Sequence, residues 1–396
     1  MQNFKLNETE ILSNQDWTFP TNTAYGPGRF KEIGDQCNKF GIRNPLIVTD
    51  NGSTKLPFIN ELKELLLKAN IKSDLFSEIS PNPREDEISV GCKKYKDGNH
   101  DSIIAIGGGS AMDGGKLICL TANNDIPLRD FEFELTPPKI SKDNPFPKII
   151  TIPTTAGTGA ETEITAMVTY LKEGMKFCMW HPDVRPVLAL VDPELTLGLP
   201  SSLTAWTGVD AMVHAIEGYC VPGFHPLCDG SALESLSLIS KSLYLAVEEP
   251  KNLIARGGMH IGSYLGGVAF LKGLGNVHSI SHMVGAEFNT QHGLTNAIIL
   301  PVVLKYNLYD MDEKVKRMSE AMQFKDHSVD SFINNIEKML DRLQIPKSLS
   351  EIGVTEDCVD RIAEKAMKDQ AYATNPKKAP YEDMKEMVMQ SIKKAR

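Results

Sequence analysis

The chain has 396 residues, 41% of them hydrophobic and 23% charged, with a formal net charge of −9. This suits a two-domain globular protein with ample core and excludes nucleic acid as a partner, because phosphates require a basic face. No apolar run reaches the length of about 18 residues needed for a membrane span. The opening MQNFKLNETEILSNQDW has no apolar stretch of the kind a secretory signal carries.

The first half alternates strand and helix signals. NPLIVTD (44–50) is a short apolar run, and the helix-like INELKELLLKANI (59–71) follows it. DSIIAIGGGS (101–110), KIITIPTTAGTG (148–159) and PVLALVDPEL (186–195) repeat the strand theme. Strands alternating with helices imply parallel βαβ units. Beyond about residue 196 the β-branched runs fade, and helical periodicity takes over in DGSALESLSLISKSLYLAVEE (229–249) and VDSFINNIEKMLDRL (329–343). The fold class read here is an α/β Rossmann-like parallel-sheet domain over 1–195 and an all-α domain over 196–396. The tail 364–396 retains apolar positions and reads as a docked helix. Seven scattered cysteines without a C-x-x-C pair fit reduced thiols in a cytoplasm.

Three loops in the first half carry candidate chemistry. IAIGGGSAMDGGK (104–116) puts glycines between a strand and a helix. There the backbone can approach a phosphate and the helix offers free N–H groups. The run matches neither G-x-G-x-x-G nor G-x-x-x-x-G-K-[ST], and a tight turn is the plain alternative. Asp50 closes LIVTD, where an acid bonds ribose hydroxyls and repels a 2′-phosphate; a turn or helix-cap role is the alternative. TTAGTGAE (154–161) is a small, hydroxyl-rich loop suited to wrapping a cofactor.

The second half carries the candidate metal chemistry. In GVDAMVHAIEGY (208–219), Asp210 and His214 stand four residues apart in an apolar stretch, hence on one helix face. Both must be desolvated, so something pairs them: each other, or a metal ion. GLGNVHSISHMVGAEFNTQHG (273–293) adds His278 and His282 at the same spacing, then His292. One carboxylate with imidazoles suits iron, zinc, nickel or copper rather than a thiolate or calcium site.

These motifs, in this order, resemble the iron-containing (group III) metal-dependent alcohol dehydrogenases. The likeness runs through FPTNTAYGPG, LIVTD, PNP (81–83), GGGSAMDGGK, TTAGTGAETE, LALVDPELT, TGVDAMVHAIEGY, VHSISHMVGAEFNTQHG and TNP near the end, and so spans nearly the whole chain. The resemblance implies a dehydroquinate synthase-like fold, with NAD(H) on the first domain and Fe2+, or Zn2+, on the second. It implies Asp210, His214, His278 and His292 as metal ligands. His282 would lie near the nicotinamide as a proton relay. Asp50 would select NAD(H). The loop Gly107, Gly108, Gly109 and Ser110 would take the pyrophosphate, with Asp113 and Lys116 on the same helix. Thr154, Thr155 and Thr158 would contact phosphates and ribose, and Lys176 the nicotinamide ribose. A small alcohol or aldehyde would be the substrate, in a cytoplasmic homodimer or larger homo-oligomer, with no nucleic acid or membrane partner.

Several residues depart from the family pattern: Ala111 in the glycine loop, Trp206 before Asp210, the polar WHPDVRP (180–186), and a shortened AFLKGLGNVH (269–278) carrying Lys272 and Asn276. They read either as packing variation or as a pocket recut for a small anionic aldehyde held by Lys272 and Arg185. A dehydroquinate synthase-like lyase shares the domain plan, but its metal set of one Glu and two His does not fit D-x-x-x-H. A non-enzymatic metal module would not need the glycine loop.

Overall fold

The computed structural model describes residues 21–396, so the opening stretch considered for a targeting signal lies outside the described residues. Among the described residues there are eight strands: β1 (Thr23–Tyr25), β2 (Pro45–Asp50), β3 (Asp74–Ile79), β4 (Ser102–Gly107), β5 (Lys148–Pro153), β6 (Thr165–Tyr170), β7 (Met175–Trp180) and β8 (Leu188–Val191). Six of them form one wholly parallel sheet in the order β1-β8-β5-β4-β2-β3. The helices of this half are α1 (Ile33–Phe40), α2 (Pro57–Lys68), α3 (Glu85–Asp97) and α4 (Gly109–Ala122).

The strands are near-continuous apolar runs because both faces of the sheet are covered. Ile47, Ile104, Ile106, Ile150 and Ile152 pack with Ile33 of α1 and Leu62 and Leu66 of α2. The alternate residues Leu46, Val48, Ile103 and Ala105 pack with Ile88 of α3 and Leu117 and Ile118 of α4. From β2 the chain moves to β3 on one side; from β4 it moves to β5 on the other. The carboxyl ends of β2 and β4 therefore flank the point where strand order reverses, the ligand crevice of open parallel sheets. Asp50 and Gly107 end these two strands. A Cβ built on Gly107, whose φ is +145°, would lie 2.9 Å from Asp50 Oδ2, so the glycine permits their contact.

Beyond β8 comes a single 3-10 turn, Pro193–Thr196, and then helices only: α5 (Ser201–Cys220), α6 (Pro226–Glu248), α7 (Leu253–Ala269), α8 (Asn276–Phe288), α9 (His292–Asn307) and further helices to Tyr381–Lys393. No helix among the described residues is long and apolar enough to cross a membrane, and all seven cysteines are unpaired.

The structure corrects one expectation and adds elements the sequence patterns did not announce. The tail 364–396 is not one docked helix but the end of Val359–Ala366, the short Gln370–Thr374 and Tyr381–Lys393; the TNP motif begins on the last residue of the second and ends it. β3 is an additional strand whose DLFSEI alternates too weakly for a strand signal. β6 and β7 form an antiparallel hairpin set against the parallel sheet.

The two halves dock through the loop after β5. A Cβ on Gly157 would lie 2.6 Å from Thr207 Cβ and 2.7 Å from the Thr207 carbonyl of α5. A helix carbonyl cannot rotate away, so Gly157→Ala forces the loop off the helix. Overpacking of this kind costs about 1–3 kcal/mol, measurable by urea unfolding. Wild-type stability in this variant would show that the contact does not hold the halves together.

Candidate metal centre

α5 is buried nearly all round, so its polar side chains must find partners inside the protein. Asp210 and His214 share one face of it. α8 supplies His278 from its first turn, and α9 opens on His292, where the Gln291 side chain caps Leu294 N–H. The ligand-capable atoms of Asp210, His214, His278 and His292 lie within 4.8 Å of one another. The Nε2 atoms of His214, His278 and His292 stand 3.8, 3.9 and 3.8 Å from the same Asp210 Oδ1. A tetrahedral site with bonds of about 2.1 Å has edges of about 3.4 Å, so the three contacts to Asp210 need to shorten by about 0.5 Å to close on an ion.

The outer contacts aim these lone pairs inward. His214 Nδ1 donates to the Gly157 carbonyl at 3.2 Å. His278 Nδ1 donates to Glu217 Oε2 at 2.6 Å, and Glu217 Oε1 accepts from the Val277 N–H at 2.8 Å. Each ring is thereby held as the tautomer with a bare Nε2, the arrangement metal-ligating histidines adopt. Burial pushes His214 down to about 4 and His292 well below the usual imidazole range. Burial thus favours the neutral form of both rings. The donor set fits a borderline divalent cation such as iron or zinc.

His282 lies beside this set without joining it. Its ring stacks on His292 at 5.5 Å and 15°, and its Nδ1 donates to Asp369 Oδ2 at 2.9 Å. Phe270 stands edge-on to His214 at 4.9 Å. A Cβ on Gly285 of α8 would lie 3.5 Å from both Lys176 Nζ and Asn82 Oδ1. Lys176 on β7 and the PNP loop therefore reach across to the helix that carries His278 and His282. Burial pulls the Lys176 ammonium down to about 8, against the opposing pull of Asp113, Asp369 and Asp210.

The glycine loop faces the loop after β5. A Cβ on Gly108 would lie 3.6 Å from Thr155, and one on Gly109 only 2.5 Å from Thr158 Cγ2. The Thr154 N–H donates to the Gly107 carbonyl at 2.9 Å. Ser110 stands in the first turn of α4. Asp50 accepts from the Ser53 N–H and hydroxyl at 3.0 and 2.8 Å, so it closes a turn while adjoining the crevice. Asp113 accepts from the Met167 N–H at 3.2 Å and so fastens the β6–β7 hairpin to α4.

Three expected site residues do other work. Lys116 is fully buried; its ammonium bonds the Ala160 carbonyl at 2.9 Å and the Thr165 carbonyl. It stitches α4 to the segment leading into the hairpin. Lys272 is buried against Asp229, with a further bond to the Tyr219 carbonyl at 3.4 Å. Its charge is already paired, which removes it as an anion holder. Arg185 precedes β8, where the Val187 N–H bonds Ile149 near the start of β5. It therefore lies at the amino ends of the strands, about 20 Å of sheet from the crevice. The structure does not bring Lys272 and Arg185 together. In WHPDVRP, His181 caps the turn Pro182–Val184, bonds the Pro138 carbonyl at 2.9 Å and packs on Phe146; the stretch anchors a loop.

Residues 20–193 match the family described as iron-containing alcohol dehydrogenase, and residues 204–392 the C-terminal part of the same family. The chain belongs to the iron-containing alcohol dehydrogenase family. It is an oxidoreductase acting on a CH–OH group. It is 34% identical to alcohol dehydrogenase 4 of Schizosaccharomyces pombe, over 92% of this chain and 86% of that one. It is also 34% identical to the 4-hydroxybutyrate dehydrogenase of Cupriavidus necator, over 92% and 96%. A solved 1,3-propanediol oxidoreductase superposes with a TM-score of 0.89 at 31% identity, covering 95% of this chain and 99% of that one.

Glu217, Asp369, Asn82 and Asn296 escaped the sequence reading. Glu217 and Asn296 had a local signal, standing three residues after His214 and four after His292 on the same helices, and Asn82 lies within the PNP motif.

The Lys272 pairing has a measurable consequence. Lys272→Ala leaves Asp229 uncompensated in a partly buried position, which costs about 1–3 kcal/mol of stability. The ratio of efficiencies for a carboxylated and a neutral aldehyde of equal length stays unchanged. A selective loss on the carboxylated aldehyde would return Lys272 to the substrate pocket.

Proposed function

We propose that this chain interconverts small alcohols and aldehydes with NAD(H), using one divalent ion, iron in the first instance, held by Asp210, His214, His278 and His292. The observation that carries this reading is one short loop. Its Thr155 and Thr158 abut the glycine turn, while its Gly157 carbonyl orients His214. The crevice for a dinucleotide and the cluster for a metal are thus two sides of one segment. When bound, the ion supplies Lewis-acid polarisation of the alcohol or carbonyl oxygen, and the nicotinamide supplies or takes the hydride.

The chain's own residues do the rest. The first turn of α4 presents N–H groups to a pyrophosphate. Asp50, beside Gly107, accepts from ribose hydroxyls and disfavours a 2′-phosphate. With its Nδ1–H held by Asp369, His282 offers Nε2 as an acceptor that takes the hydroxyl proton in oxidation and returns it in reduction. Phe270 places an apolar wall beside His214. With Lys272 and Arg185 engaged elsewhere, support falls to an uncharged short-chain substrate.

The reading is tested on protein reconstituted with Fe2+ or Zn2+. NADH should be oxidised by short neutral aldehydes, with at least about tenfold preference over NADPH, and Asp50→Gly should narrow that preference. Chelation should abolish turnover. His282→Ala should keep its metal and lose about 10²–10⁴ in rate, the usual worth of a positioned acid–base group. Full turnover in chelated protein would refute the metal reading, and equal use of both cofactors the role of Asp50.

A further inference from the structure

Asn296 stands one turn into α9, four residues after His292, and is fully buried. Its amide nitrogen lies 2.7 Å from Asp210 Oδ1, 3.1 Å from His278 Nε2 and 3.1 Å from His292 Nε2. An amide carries two N–H donors, and here three lone pairs converge on it. Its own Oδ1 is buried with no hydrogen-bond partner.

The four ligands are anchored unequally. His214 is held by the Gly157 carbonyl and His278 by Glu217. His292 Nδ1 is buried without a partner, and among the described residues Asn296 is the side chain that hydrogen-bonds Asp210. The two ligands lacking an outer anchor therefore share one inner donor. In its absence, a carboxylate oxygen and two imidazole lone pairs would face one another in a dry site. They would separate or draw in water, and a cation would have to reorder them on entry.

We propose that Asn296 is a positioning residue of the metal centre, its amide holding Asp210, His278 and His292 converged before the ion enters. This rests on the metal reading above. Preorganisation of this kind raises affinity by reducing what must be ordered on binding, and loss of comparable outer partners costs about 10–100-fold in metal affinity.

The test compares wild type, Asn296→Leu and Asn296→Asp, each stripped by chelation. Zn2+ is titrated against a competing chelator, and melting is followed with and without Zn2+. NADH binding by fluorescence reports an intact first domain. Asn296→Leu should weaken Zn2+ by about 10–100-fold and shrink the rise in Tm that Zn2+ produces. Asn296→Asp sets a second carboxylate against Asp210, so the metal-free Tm should fall while the rise on adding Zn2+ exceeds that of wild type. Opposite movements of that rise in the two variants support the proposal; a parallel fall in both reduces Asn296 to packing and overturns it. Zn2+ affinity of Asn296→Leu within twofold of wild type, with NADH binding kept, also overturns it. If Asn296→Leu does not fold, the Asn296→Asp melts decide. Failure of wild type to take Zn2+ would instead sink the metal reading itself.

Discussion

A carboxylate oxygen and three imidazole nitrogens point their lone pairs at one buried spot, and much of this molecule serves to make that tolerable. Desolvation favours neutral imidazoles, as the depressed His214 shows, but neutrality leaves the mutual repulsion of the lone pairs. The structure answers with fixed dipoles around the rim. The Gly157 carbonyl and Glu217 take the outward N–H groups of two rings, while the Asn296 amide donates inward. Each answer requires a particular backbone to be near: the loop after β5 beside α5, the first turn of α8 against Glu217, and α9 starting at His292.

The same requirement ties the metal cluster to the sheet. Parallel strands place Asp50 and Gly107 side by side at the reversal of strand order, and the next strand over delivers the Thr154–Thr158 loop against both the glycine turn and α5. The β6–β7 hairpin, fixed to α4 through Asp113 and Lys116, brings Lys176 over α8. The glycine turn and the four-residue cluster consequently meet on opposite sides of the Thr154–Thr158 loop, although they belong to different halves of the chain.

Residues whose placement is set by local periodicity were readable in the sequence. Asp210 with His214, and His278 with His282, announce themselves because the helix repeats every 3.6 residues and their surroundings are apolar. The strands LIVTD and IIAIG announce themselves because both faces of the sheet are buried. Roles set by distant partners were not readable. Asp369 lies 87 residues from His282, and Asp229 lies 43 from Lys272, so nothing near Lys272 told that its charge was already matched. The partners of Lys116 were hidden for the same reason: the carbonyls of Ala160 and Thr165 that its ammonium bonds lie 44 and 49 residues further along the chain. WHPDVRP was polar because His181 ties down a loop 43 residues upstream.

The central claim is that these four residues hold one divalent ion within the cleft. Crystals of iron- or zinc-loaded protein, with data collected on both sides of that metal's absorption edge, test it directly. The account predicts a single anomalous peak per chain, bonded to Asp210 oxygen and to nitrogens of His214, His278 and His292 at about 2.0–2.2 Å. Occupied density elsewhere, or a metal-loaded chain in which any of the four turns away from the peak, would contradict it.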